Sequence, residues 1–331
     1  MTGLADRHSL GADGVVELAR VERNGLVESR HLGAAVVVNA DGEVVNSLGD
    51  IDALVYPRSS LKPFQAITVL RSGVPLEGAA LVLASASHSG TPAHVAVVSG
   101  MLSSAGLTED ALQCPLDWPG DVDAAAIART SGEKRRITMN CSGKHAAFLL
   151  ACVQNGWPIE TYLDPEHPLQ VRVRATIEEF TGEPVGHVGV DGCGAPLFAV
   201  SLRGLATAFS RCARGVAPKG PDADAERLSS AIRANAWAIE GPGRPNTVVI
   251  DETGFIGKGG AEGVMAMGAA DGTAVALKSV DGSHRITSLV ALELLARAGA
   301  VPHAESDRVS GLVTEKVLGG GVPVGAIRVA F

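Results

Sequence analysis

The chain has 331 residues, 46% hydrophobic and 19% charged, enough for one large core or two smaller ones. A net charge of −8 weighs against nucleic-acid and anionic-membrane partners, and no run of about 18 apolar residues announces a membrane span. The first eight residues lack the charged region and apolar core of a signal peptide. The expectation is therefore a cytoplasmic protein, whose cysteines 114, 141, 152, 193 and 212 are thiols or metal ligands.

Residues 15–49 read as antiparallel strands. Val15–Glu22 and Leu26–His31 flank Asn24-Gly25, and Ala34–Val38 and Glu43–Leu48 flank Asp41-Gly42, two dipeptides suited to tight hairpins. Next comes "RSSLKPFQA", residues 58–66. Pro63 is tolerated only in a first helical turn, so the helix starts near Ser59 or Ser60 and closes at Gly73. This places Ser59 at a helix N-terminus with Lys62 three residues on, while Ser60 points elsewhere. A serine nucleophile beside a lysine base fits that spacing; a capping serine with a solvated lysine is the plain alternative. The apolar run Ala79–Ala84 leads into "SASHSG", a polar loop in which Ser87 or Ser89 can bridge protons and His88 can position a group. A helix capped by Thr91, with Pro92 first, runs to about Gly106. Residues 107–139 read as loop-rich.

"NCSGKHAAFLLACVQNG" opens a helix that Gly156 closes. Asp164 is the expected cap of a further helix ending at Gly182. Residues 183–202 hold a short strand, the turn "DGCGAP" and an apolar run, and residues 204–240 hold two helices. Strands are expected at Thr247–Ile250 and Thr273–Val280, a helix at about 285–298, and a last strand at Val322–Val329. The order implies an α/β protein whose antiparallel sheet is built from both chain ends, residues 1–60 and 246–331, with a mainly helical region, 61–245, inserted between.

Only seven of the 28 basic residues are lysines, and three of these (Lys62, Lys144, Lys258) lie in glycine- or serine-rich motifs. Lysine, unlike arginine, can give up its proton in a protein. In "GKGGAEG", residues 257–263, glycines leave the Lys258 amine unhindered; an exposed lysine on a glycine-rich hairpin is the alternative. Cys141 and Cys193, with either His145 or Asp191, form a donor set that favours zinc, against the reading of two buried thiols.

Taken together, "RNGLVESRHLG", "YPRSSLKPFQA", "ASASHSGTPAHV", "NCSGKHAAFLLAC", "DPEHPLQ", "VDGCGAP" and "GKGGAEG" resemble the rhizobial-type (class 3) L-asparaginases, the asparaginase II family. The resemblance implies hydrolysis of L-asparagine to L-aspartate and ammonia, a serine β-lactamase/glutaminase-like fold and a homodimer. It also implies two Ser-Lys tandems, Ser59 with Lys62 and Ser87 with Lys258, Ser89 being the rival to Ser87. Zinc ligands fall on Cys141, Lys144 and Cys193, with Arg58, His88, His145 and Asp191 around the substrate or behind its contacts. Residues 241–247, "GPGRPNT", depart from the family's Arg-Phe-Asp-Thr pattern at Pro245 and Asn246.

In the expected mechanism neutral Lys62 takes the Ser59 proton, charged Lys258 lowers its neighbour's proton affinity, and Ser87 relays protons to the leaving ammonia. Zinc would orient the substrate more than activate the nucleophile. The competing readings are a glutaminase, a β-lactam-acylating enzyme and a catalytically silent zinc- or amino-acid-binding protein.

Overall fold

The computed structural model describes residues 8–331; the signal-peptide reading falls largely on residues 1–7, outside them. β1 (Val16–Arg23) and β2 (Leu26–Val38) form a hairpin through Asn24 and Gly25, whose φ angles of 46° and 84° are what a two-residue turn with both residues left-handed requires. The two strands expected at 26–31 and 34–38 are one 13-residue strand, because Leu32 and Gly33 stay extended and paired. β3 (Val44–Leu48) and the short β4 (Leu54–Val55) follow.

The helical part comprises α1 (Lys62–Arg71), α2 (Gly78–Ala84), α3 (Pro92–Ser104), α4 (Val122–Ser131), α5 (Ser142–Asn155) and α6 (Pro168–Thr181). It is followed by the strands β5 (His187–Val190) and β6 (Pro196–Ser201), then α7 (Leu202–Arg214), the small hairpin β7 (Val216–Ala217) with β8 (Gly220–Pro221), and α8 (Ala223–Ala234). The chain ends with α9 (Pro245–Thr253), β9 (Ile256–Gly260), β10 (Val264–Gly268), β11 (Ala274–Ser279), α10 (Thr287–Arg297), α11 (His303–Val313), β12 (Val317–Gly319) and β13 (Val322–Val329).

Strands from both chain ends make one antiparallel sheet in the order β12-β13-β1-β2-β11-β10-β9, with β3 also on β2. The class is α/β, as the order of elements implied. The alternation along β2 shows how the sheet is covered. Ala34, Val36 and Val38 enter the core shared with α1, α2, α5 and α7, while Ala35 and Val37 enter a second core with α10 and α11. Burial on both faces explains the uninterrupted apolar run "AAVVV".

Three expectations need correction. Thr247–Ile250 is not a strand but part of α9. Pro245 starts that helix and Gly254 ends it in the left-handed conformation, and burial of Val249 and Ile250 outweighs the helix cost of β-branched residues, a few tenths of a kcal/mol each. The cap of α6 is His167, which accepts from Leu169 N, while Asp164 holds the turn before it. Residues 107–139 contain α4, capped by Asp121. Its Val122 and Ile127 are exposed, so it lacks the apolar stripe that marks a helix in sequence. Lys258 lies within strand β9, just after the turn at Gly254. Among the described residues no helix is long and apolar enough to cross a membrane.

Candidate active site

The turn before α1 is built to present one serine and bury the other. Arg58 has φ +53°, a left-handed conformation that costs a non-glycine residue about 1–2 kcal/mol. Its guanidinium anchors the turn through Nε to Asp191 Oδ1 at 2.7 Å. Residues Arg58–Leu61 then form a single 3-10 turn that runs into α1. Ser60 is fully buried and donates to the Lys258 carbonyl at 2.8 Å, tying the turn to β9. That approach is close: a Cβ on Gly260 would lie 2.0 Å from the Pro57 carbonyl oxygen, so only glycine fits there. Ser59, one residue earlier, lines an open cavity.

Lys62 starts α1 and Lys258 stands on β9, each only 1% exposed. Both amines converge on Ser87 Oγ, Lys62 Nζ at 3.0 Å and Lys258 Nζ at 2.9 Å. Lys62 also donates to the Ala86 carbonyl and Lys258 to that of Gly259. With both lysines donating, Ser87 Oγ keeps its own hydrogen for a third partner. Among the described residues no hydrogen bond joins Lys62 to Ser59; the lysine points at Ser87 instead. Burial, then the charge of Lys62, push Lys258 down to about 7. Sequence reasoning assigned the neutral amine to Lys62; the surroundings favour it on Lys258.

The loop carrying Ser87 is held by backbone bonds, Ser87 N to Ile239 O at 3.0 Å and Ser89 N to Glu240 O at 2.7 Å. His88 secures it from below. Its Nδ1 accepts from Gly90 N, its Nε2–H donates to Ser142 Oγ at 2.9 Å, and Ser142 passes its own hydrogen to Ile137 O. Burial holds His88 well below its ordinary range, so it is a neutral loop holder. The oxygen between the two lysines is that of Ser87; Ser89, two residues on, lines the same cavity.

That cavity measures about 430 Å³ and is lined by Ser59, Ser87 and Lys258, and also by Glu240, Arg244 and Asn246. The last three were not among the candidate residues. Asn246 donates from its backbone and its Nδ2 to Glu240 Oε2, both at 3.1 Å, and accepts from Gly259 N. The departure at 241–247 is therefore part of the cavity wall. Its sequence signals were the departure at Pro245 and Asn246 and the charged Glu240 and Arg244 beside it.

Behind the turn, Cys141, Lys144, His145 and Cys193 gather in the interior, outside the cavity lining. Lys144 Nζ donates to Cys193 Sγ at 3.0 Å. The neighbouring Cys141 thiol and then Lys144 hold Cys193 far below the usual thiol range against the effect of burial. Burial works to lower Lys144, but the sulfurs of Cys193 and Cys141 outweigh it and raise the amine. Burial pushes His145 down to about 4; its Nδ1 meets Tyr162 Oη at 2.7 Å, and its buried Nε2 has no hydrogen-bond partner. Asp191 links this group to the turn, with Oδ1 on Arg58 and Oδ2 3.6 Å from Cys193 Sγ. Two sulfurs and an amine suit a soft divalent cation. Among the described residues no three His, Cys, Asp or Glu side chains are grouped to hold a metal, so a third donor comes only with the Lys144 amine.

The sequence profile of the L-asparaginase II family matches residues 19–329, and the chain belongs to that family, a family of amidohydrolases. A search of curated proteins gives no match. Among solved structures, Mglu in its native form is 12% identical with a TM-score of 0.47, over 81% of this chain and 65% of that one. A probable glutaminase, ybaS, is 15% identical with a TM-score of 0.42, over 76% of this chain and 80% of that one. A beta-lactamase from Mycobacterium bovis is 16% identical with a TM-score of 0.42, over 84% of this chain and 94% of that one. The chain thus spans just under two thirds of the length of Mglu.

Proposed function

We propose that this protein is an L-asparaginase, hydrolysing L-asparagine to L-aspartate and ammonia through an acyl-enzyme on Ser59. The observation that carries the reading is Ser87 Oγ held between two buried lysines on the wall of the cavity that Ser59 lines. Because Lys258 is held near 7, the Lys62–Ser87–Lys258 chain lacks one proton around neutrality. Ser87 can pass that deficit from Lys258 to Lys62, next in chain to the Ser59 turn. The neutral amine takes the Ser59 proton as Ser59 Oγ bonds to the side-chain amide carbon. The C–N bond then breaks, ammonia leaves with that proton through Ser87, and water cleaves the ester. Backbone N–H groups at the start of the turn would steady the oxyanion; Ser60 N is committed to Pro57 O, which leaves Ser59 N as the candidate.

A pH dependence follows. Lys258 carries its proton below about 7 and loses it above. kcat/KM should therefore climb about tenfold per pH unit below 7 and level off above it, read from initial rates between about pH 5.5 and 9. A flat profile across that range would remove Lys258 from the proton chain.

Zinc would sit on Cys141, Lys144 and Cys193, where it supplies a fixed positive charge and Lewis acidity. Of these, Cys193 touches Asp191, which anchors Arg58 of the serine turn, and none of the three lines the cavity. Protein purified without added zinc should carry one zinc per chain, and chelation should raise KM more than it lowers kcat. Metal analysis followed by kinetics decides this: no zinc at saturation sinks the site, and a collapse of kcat alone gives zinc a role in bond breaking.

We place the protein in the cytoplasm as a homodimer acting on a free amino acid, with no nucleic-acid or membrane partner. The deciding experiment is ammonia release from L-asparagine and L-glutamine beside opening of a chromogenic β-lactam. L-asparagine should be turned over fastest. Preference for L-glutamine makes it a glutaminase, β-lactam opening alone makes it an acylase of that class, and binding without turnover makes it a silent binder.

A further inference from the structure

The cavity beside the serines contains more charge than the proton chain uses. Its cations are Lys258, Arg244 and Arg285, and its anions are Glu240 and Glu315. Arg285 and Glu315 form an ion pair at 3.0 Å, although the buried Arg285 Nε makes no hydrogen bond, and Lys258 is spent on Ser87 and the Gly259 carbonyl. Two charged groups are left without a close charged partner. Arg244 is half exposed, and its one charged partner among the described residues is Glu240, at 3.9 Å, beyond hydrogen-bond reach. Glu240 is mostly buried and has one oxygen engaged: Oε2 accepts both Asn246 donors, while Oε1 faces Arg244.

Glu240 is not a free surface charge. The Glu240 carbonyl accepts from Ser89 N, in the loop that carries Ser87, and Asn246, which grips the Glu240 carboxylate, also accepts from Gly259 N beside Lys258. Glu240 is thus held by the two segments that present the proton chain, and Arg244 lies four residues on, at the start of α9. An anion acceptor and a cation acceptor side by side, each lacking a close charged partner, match a ligand that carries an ammonium and a carboxylate on one carbon. A guanidinium offers that carboxylate two parallel N–H donors, and the free carboxylate oxygen takes an ammonium hydrogen.

We propose that Arg244 and Glu240 are the specificity-determining pair for an α-amino acid: Arg244 binds the α-carboxylate and Glu240 Oε1 the α-ammonium, so that the side-chain amide extends toward Ser59 and Ser87. The proposal rests on the amide-hydrolase reading and names the part of the substrate that the serines do not touch. It assigns recognition of the α-carbon to this pair and not to the thiol cluster, which lies outside the cavity. A charge-assisted bond of this kind contributes about 10- to 100-fold in binding.

The test compares three amides in the intact protein: L-asparagine, its α-carboxamide, which lacks the carboxylate, and succinamic acid, which lacks the ammonium. Wild-type protein should show KM values at least about tenfold lower for L-asparagine than for the other two. Arg244→Met should raise the KM for L-asparagine about 10- to 100-fold, hold kcat within about threefold, and erase the preference over the α-carboxamide. Glu240→Gln should erase the preference over succinamic acid. Arg244→Lys and Glu240→Asp, which keep the charge, should restore part of each loss and guard against a folding artefact. Folded variants with KM within twofold of wild type and discrimination intact would overturn the pair. Should wild-type protein release no ammonia from any amide, the hydrolase reading fails by itself. Calorimetry with L-aspartate then judges the pair: binding weakened at least tenfold by Arg244→Met supports it, and absent or unchanged binding overturns it.

Discussion

Ser59→Ala should lower kcat by about 10³-fold or more with no loss of folded protein, because a missing nucleophile removes the acyl-enzyme route entirely. The neighbouring substitution is the control that gives this meaning. Ser60→Ala removes the bond to the Lys258 carbonyl, an effect of about 1 kcal/mol on stability, and leaves a hydroxyl on the cavity wall. Its kcat should stay within about tenfold of wild type. Ser87→Ala is the harder comparison, since Ser87 sits between two amines and would itself be an activated nucleophile. The two assignments separate by trapping. A slowly released amide analogue quenched in acid should leave its acyl group on the peptide containing Ser59. An adduct on the Ser87 peptide would exchange the roles of nucleophile and relay.

The legible part of this fold follows from what short segments encode. Asn24-Gly25, Thr91-Pro92, Gly156 and Gly182 set turns and caps by local backbone chemistry, and each marks an element end in the structure. The sheet's two-sided burial was less readable, because Ala34–Val38 is uniformly apolar and carries no alternation to count. Residues 245–253 misled for the opposite reason: Thr247, Val248, Val249 and Ile250 favour a strand, and only Pro245 and Gly254 argue for a helix. Tertiary packing decided it.

The site divides the same way. Spacing placed Ser59 and Lys62 in one turn and made Ser60 the odd member, and Ser60 is indeed turned inward. Spacing could not show that Lys62 bends toward Ser87, because that contact joins residues on different elements. Of the cavity wall, Asn246 stood out only as a departure from the family pattern, and Glu240 and Arg244 stayed hidden, since each residue type is ordinary on a surface. Their meaning comes from Asn246 bridging Glu240 to β9, a relation that exists only once α9 has packed against that strand.

Lys258→Arg should be nearly as damaging as Lys258→Met, each lowering kcat/KM by about 10³-fold, although arginine keeps the charge. The reason is the position of Lys258 close to its neutral form. Burial and the adjacent Lys62 bring it to about 7, so it can give up and regain a proton within the working range. A guanidinium cannot, and its planar fork would also have to fit where one amine now reaches Ser87 at 2.9 Å and the Gly259 carbonyl at 2.7 Å. Lys62→Arg should behave alike, for the second amine is needed to receive the Ser59 proton. Size and proton transfer are told apart by the residual activity. Whatever rate survives in Lys258→Arg should no longer rise with pH through 7, since the group whose deprotonation produced that rise is gone. Melting temperatures of the three variants, measured alongside, check that each is folded. If Lys258→Arg retained more than about tenfold the activity of Lys258→Met, with the pH rise intact, Lys258 would be a fixed charge and the proton deficit would belong to Lys62 alone.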